Sequence, residues 1–129
     1  MQSKNSAAFA LSAICFSTPL WAQNAAQDCD NAMTQIDMNA CAYQDYQAAD
    51  VALNETYAWA MKRARAYENG SDTALRTAQR AWIPYRDAAC AAEAKLYEGG
   101  SIRPLIEYSC LATLTKRRSD DMRLAYEEY

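Results

Sequence analysis

The chain has 129 residues, 16 of them acidic and 13 basic, with five cysteines and no histidine, for a net charge of −3. An acidic balance disfavours nucleic acid and anionic membranes as partners and permits a basic protein. Without histidine the commonest general base is missing, and the Ser–His and Cys–His nucleophile pairs go with it.

Residues 1–22 read as a secretory leader. Lys4 supplies a positive start, Ala7 to Phe16 is apolar apart from Ser12, and Pro19-Leu20-Trp21-Ala22 ends on the small residue that cleavage favours. The apolar run is shorter than the roughly 20 residues a membrane-spanning helix needs. A rival reading, lipid attachment at Cys15, meets the bulky Ile14 where a small residue is usual. Cleavage after Ala22 leaves residues 23–129 as one domain, periplasmic or secreted, and more acidic by the charge of Lys4. Cys29, Cys41, Cys90 and Cys110 remain, an even set that predicts two disulfides in a small exported domain. No pair has the close spacing of a zinc ligand set, and no metal or other cofactor is expected.

Gln23 to Met33 is polar and irregular, tied down only at Cys29. Thr34 then offers a helix cap, with Asp37 three residues on to answer it. From there Met38, Ala42, Tyr46, Ala49, Leu53, Tyr57, Ala60, Ala64 and Tyr67 recur every three or four residues, which predicts one helix over 34–67. Glu68-Asn69-Gly70-Ser71 is turn chemistry. Ser71 or Asp72 is expected to cap a second helix, whose stripe reads Leu75, Ala78, Trp82, Tyr85, Ala89 and Leu96, with a kink at Pro84. Gly99-Gly100 stops it, Ser101 caps a third helix that tolerates Pro104 in its first turn, and Ile106, Cys110, Leu111, Leu114, Met122 and Ala125 give that helix an apolar side to about Tyr126. The prediction is all-α: a three-helix, up-down-up antiparallel bundle braced by two disulfides.

The hairpins choose the pairing. Cys90 and Cys110 lie about equally far from the Gly99-Gly100 turn, so antiparallel helices bring them level, as a disulfide requires. Reflected through the first turn, Cys41 lands roughly 12 Å along the helix from Cys90. It is better matched to Cys29, which the irregular segment before the first helix can fold back beside it. The predicted bonds are Cys29–Cys41 and Cys90–Cys110.

Carboxylates are the remaining candidates for chemistry: Asp45, Asp50, Glu55, Asp87 and Glu93. Two of them flanking a glycan could hydrolyse it, but three slim helices offer no evident cleft, and no catalytic residue is assigned. Asp50, Asn54, Arg80, Arg86 and Asp87 read as a polar network pairing across helices, with Trp82, Tyr85 and Tyr57 filling the space between them.

Cys41-Ala42, Ala49-Asp50, Leu53-Asn54, Tyr57, Gln79-Arg80-Ala81-Trp82, Arg86-Asp87, Cys90, Gly99-Gly100-Ser101, Cys110, Leu114-Thr115 and Arg117 follow one another in a distinctive order. Together they resemble the small secreted bacterial domains named for the LprI-type lysozyme inhibitor, specifically its N-terminal domain, over nearly all of the chain beyond the leader. Pro84 departs from that pattern. The resemblance implies an exported, non-enzymatic protein whose partner is lysozyme or another basic protein. An inhibitor of that kind needs an element to enter the sugar-binding cleft, and the turn carrying Glu98, Ser101 and Arg103 is the candidate, with Arg103 as the cation. The alternatives are an envelope scaffold module without inhibitory activity and, more remotely, an envelope glycan hydrolase. Oligomeric state is not legible.

Overall fold

Thr34 and Asp37 start the first long helix by capping each other. The Thr34 hydroxyl accepts from the Asp37 amide at 3.1 Å, and the Asp37 carboxylate accepts from the Thr34 amide at 3.3 Å and its hydroxyl at 2.6 Å. Two donors that a helix start otherwise leaves open are thereby satisfied, with a negative charge at the positive end of the helix dipole. The computed structural model describes residues 28–127, so the expected leader and its cleavage after Ala22 lie outside the described residues. Over this span the protein is all-α. A 3₁₀ turn (Cys29–Asn31) precedes α1 (Gln35–Ala66), α2 (Ser71–Lys95) and α3 (Arg103–Glu127), with no strand among the described residues.

The chain reverses twice. At Tyr67–Gly70, Glu68 and Gly70 both take positive φ, of 52° and 86°. The first residue of α2 is not capped as the sequence predicted. Ser71 already lies within the helix, Gly70 holds the capping position without a side chain, and Asn69 supplies the oxygen instead, accepting from the Ser71 amide at 3.1 Å. At the second reversal, amides at Leu96, Tyr97 and Glu98 bond carbonyls three residues back, so α2 tightens before Gly99 turns it at φ 79°. Ser101 does not cap α3 either: it lies in the turn two residues before the helix begins, and its carbonyl accepts from the Asn39 side chain of α1 at 3.0 Å. Pro84 leaves α2 unbroken. It sits on an exposed side of the helix, where water can serve the carbonyl that the missing N–H leaves free.

The topology is up-down-up, and the most extensive packing is between α1 and α3, which run parallel. The starts of both helices meet at Asn39 and Ser101. Lys116 bridges to Asp45 at 2.7 Å, and at the far end Arg63 donates to the carbonyl of Tyr126. Close approach is possible because α1 buries mostly small residues: Ala42, Ala49, Thr56, Ala60 and Ala64, beside Leu53 and Met61. The apolar cluster of Leu53, Ala60, Met61, Ala64, Leu75 and Met122 is flanked by Tyr57, Trp59, Trp82 and Tyr126. α2 packs mainly against α3 and only thinly against α1. Cys29 is bonded to Cys41, tying the 3₁₀ turn to α1, and Cys90 to Cys110 across the α2–α3 hairpin, with Cα separations of 5.6 and 5.5 Å.

One expected core residue is not in the core. Tyr85 is 63% exposed, whereas its neighbour Arg86 is buried at 6%. The inward face of α2 is Leu75, Gln79, Arg86, Cys90 and Ala94. Successive helical residues diverge by about 100°, so placing Arg86 inside turns Tyr85 away. Tyr85→Ala is therefore expected to change the unfolding free energy by less than about 0.5 kcal/mol, as urea titration will measure, where a core tyrosine would cost several times that.

Candidate functional site

Two regions concentrate side-chain chemistry. The first is centred on Arg86, midway along α2. Its guanidinium donates to Asp87 at 2.9 Å, to Asp50 on α1 at 3.3 Å and to Thr115 on α3 at 3.3 Å, so one group joins all three helices. Its flat faces lie over the rings of Tyr46 at 5.4 Å and Trp82 at 5.2 Å, a favourable cation–π arrangement when desolvated. Trp82 also lies beneath Arg118 at 6.0 Å, and Arg118 donates to Gln79 at 3.1 Å. Trp82 thus serves two cations at once. Burial by itself would weaken the charged form of Arg86, but the hydrogen bond to Asp87, together with the fields of Tyr46 and Asp87 and the Asp50 bond, raises its pKa above the ordinary value. Burial pushes the Tyr46 hydroxyl up, Arg86 pulls it part of the way back, and Asp50 and Asp87 reinforce the rise.

Of the network predicted from sequence, the structure brings Asp50, Arg86 and Asp87 together, with Asn54 donating to Asp50 at 3.4 Å from the exposed side. Arg80 does not join it. It is exposed, and the position facing Asp50 belongs to Arg86, six residues along the helix. Thr115, Gln79, Arg118 and Tyr46 are members that the sequence reading did not assign. Asp50 and Asp87 share the same guanidinium, so they form an ion triad with it rather than two carboxylates facing an open space. Among the described residues no group of acidic or cysteine side chains is arranged to hold a metal. A groove of about 320 Å³ between α2 and α3 is open and runs past Glu93, Ile106, Cys110, Leu114 and Arg117.

The second region is the end of the bundle where the 3₁₀ turn, the start of α1 and the α2–α3 reversal meet. Here the proposed partner-binding residues are placed. Glu98 is exposed and paired to Lys95 at 2.8 Å, and Ser101 is exposed and anchored through its carbonyl to Asn39. Arg103 is half-buried and engaged by Glu107 at 3.1 Å, one helical turn away, while its Nε is buried without an acceptor. Arg103 is therefore a held cation rather than a free one. Tyr108 closes this end from α3, packing on Tyr43 at 4.9 Å and Tyr46 at 6.4 Å.

No helix among the described residues is long and apolar enough to cross a membrane. No solved structure matches the chain. A protein of Rhizobium meliloti (strain 1021), named uncharacterized protein R02472, is 40% identical over 120 residues, which cover 85% of this chain and 86% of the relative. The model of the family described as lysozyme inhibitor LprI matches residues 25–122, a span that includes all three helices up to Met122, both disulfides and the Arg86 hub. By that match the chain belongs to the LprI lysozyme-inhibitor family.

Proposed function

We propose that this protein is an exported lysozyme-binding inhibitor, released as a single domain over residues 23–129 after cleavage near Ala22. The observation that carries the reading is the family match across residues 25–122. The physical properties are compatible with it. A chain of net charge −3 is drawn to a basic enzyme at long range, and two disulfides suit a small domain working outside the cytoplasm. No catalytic residue is needed for such a role, which rests on occupying a cleft. The turn from Glu98 to Arg103 is the proposed inserting element, with Arg103 facing the carboxylates of the enzyme once it exchanges Glu107 for them.

A lysis assay tests the reading. Purified protein added at near-stoichiometric amounts is expected to slow the clearing of cell walls by lysozyme, and unchanged clearing at excess inhibitor refutes it. Arg103→Glu is expected to abolish protection while leaving helicity intact. It places two carboxylates one turn apart on α3, a repulsion of about 0.5 kcal/mol for such a pair. Protection retained by this variant removes Arg103 from the mechanism without touching the wider reading.

A further inference from the structure

The two halves of the bundle differ in charge. The half holding residues 28–48 and 86–112 carries eight carboxylates against three cations, whereas residues 49–85 and 113–127 carry seven against nine. At the tip of the acidic half lie side chains that ought to be inside a protein and are not. Met33 is 87% exposed, Ile36 79% and Leu96 81%, with Tyr97 and Ile102 also at the surface. They come from separate elements: the segment before α1, the first turn of α1 and the α2–α3 reversal. The contact from Asn39 to the Ser101 carbonyl ties α1 to that reversal, and Ile36 lies one helical turn beyond Asn39 toward the same end. Single exposed apolar residues are ordinary, but several gathered at one tip mark a contact surface.

The tip is also held rigid. The Cys29–Cys41 bond pins the 3₁₀ turn to α1, Asn31 and Asp28 bond within that turn, and the capping pair of Thr34 and Asp37 fixes the direction in which Met33 leaves it. A surface ordered before contact loses less conformational entropy on binding. From the apolar tip, its acidic surround and this bracing, we infer that the protein docks end-on, with Met33, Ile36, Leu96, Tyr97 and Ile102 forming the contact centre and the surrounding carboxylates, Glu98 among them, steering a strongly basic protein onto it. The inference rests on the lysozyme reading and extends it from a single turn to a composite face with an apolar centre. The opposite end, with its excess of cations, points away from the partner.

The test uses two matched triple variants of the full protein and a basic lysozyme as the probe. Met33→Ser/Ile36→Ser/Leu96→Ser removes the three most exposed apolar side chains of the tip, and Val51→Ser/Ile83→Ser/Leu124→Ser removes three exposed apolar side chains elsewhere. Circular dichroism verifies that both fold, and calorimetric titration across a salt series gives affinity. The tip variant is expected to bind at least about tenfold more weakly than wild type, with the control variant within about twofold. Tip binding within twofold of wild type, or an equal loss in the control, overturns the docking face while leaving inhibition standing. A wild-type protein that binds no lysozyme overturns both readings together. If wild type sediments as a dimer that the tip variant dissociates, the occupant is a second copy of this chain and the inference is wrong.

Discussion

Arg86→Ala is expected to lower the unfolding free energy by about 3–5 kcal/mol, the range for truncating a large buried side chain and opening a void, with a buried hydroxyl left unpaired besides. Arg86→Met is expected to lose only about 1–2 kcal/mol. The difference follows from what each substitution leaves behind. Alanine removes the stem that fills the space between Tyr46 and Trp82, whereas methionine keeps most of that volume. In both variants the Thr115 hydroxyl, wholly buried, loses the donor that Arg86 supplied, and an orphaned buried hydroxyl costs about 1–3 kcal/mol. Asp50 and Asp87 fare better, because their carboxylates are about half exposed and can turn to water. The two chemical midpoints in urea, compared at equal slope, measure the gap. Equal losses in alanine and methionine would mean that the hydrogen bonds, and not the packing, dominate the hub.

Removal of the second disulfide is the other large effect. Cys90→Ala/Cys110→Ala is expected to cost about 3–5 kcal/mol, and Cys29→Ala/Cys41→Ala about 1–3 kcal/mol. Loop length alone hardly separates them: the bonds close separations of 20 and 12 residues, worth a difference of only about 0.5 kcal/mol. Burial supplies the rest. Cys90 is fully buried between α2 and α3, so deleting its sulfur leaves a hole that the core cannot easily refill. Cys29 is exposed and anchors only a three-residue turn. Thermal unfolding of both pairs under identical conditions will rank them. A first-disulfide variant that melts below the second would show that the 3₁₀ turn supports the bundle far more than its few contacts allow.

The helices and both crosslinks were legible because each depends on local signals. Thr34 and Asp37 announce the start of α1, Asn69-Gly70 and Gly99-Gly100 mark the reversals, and the near-symmetry of Cys90 and Cys110 about the second reversal selects the pairing. The face of α2 was less legible. An apolar-inward reading favours Ala78, Tyr85 and Ala89, whereas the inward set includes Gln79 and Arg86. Polar groups can occupy that face because partners await them on other helices: Arg118 for Gln79, Asp50 and Thr115 for Arg86. Those partners are separated by 29 to 39 residues in sequence, beyond the reach of periodicity. One signal was available. Counting back from Cys90, which the disulfide fixes inward, the steps of three and four run through Arg86, Trp82, Gln79 and Leu75, and that register turns Tyr85 outward. The helix caps at Ser71 and Ser101 were misplaced for a simpler reason: Asn69, just outside α2, reaches the open amide first, and the α3 helix starts two residues later than its serine.

The parallel alignment of α1 and α3 bears on how the chain acquires its structure. Most of what α1 covers belongs to the last helix made, and the link from Asn39 to Ser101 spans 62 residues. Hairpin zipping between neighbours cannot therefore complete this bundle, since the thin α1–α2 contact gives the growing chain little to hold. The alanine-lined stripe of α1 is covered mainly by α3, so it stays open to water until α3 lies alongside it. The contact that completes the bundle is the one of longest sequence separation, the docking of α1 onto α3.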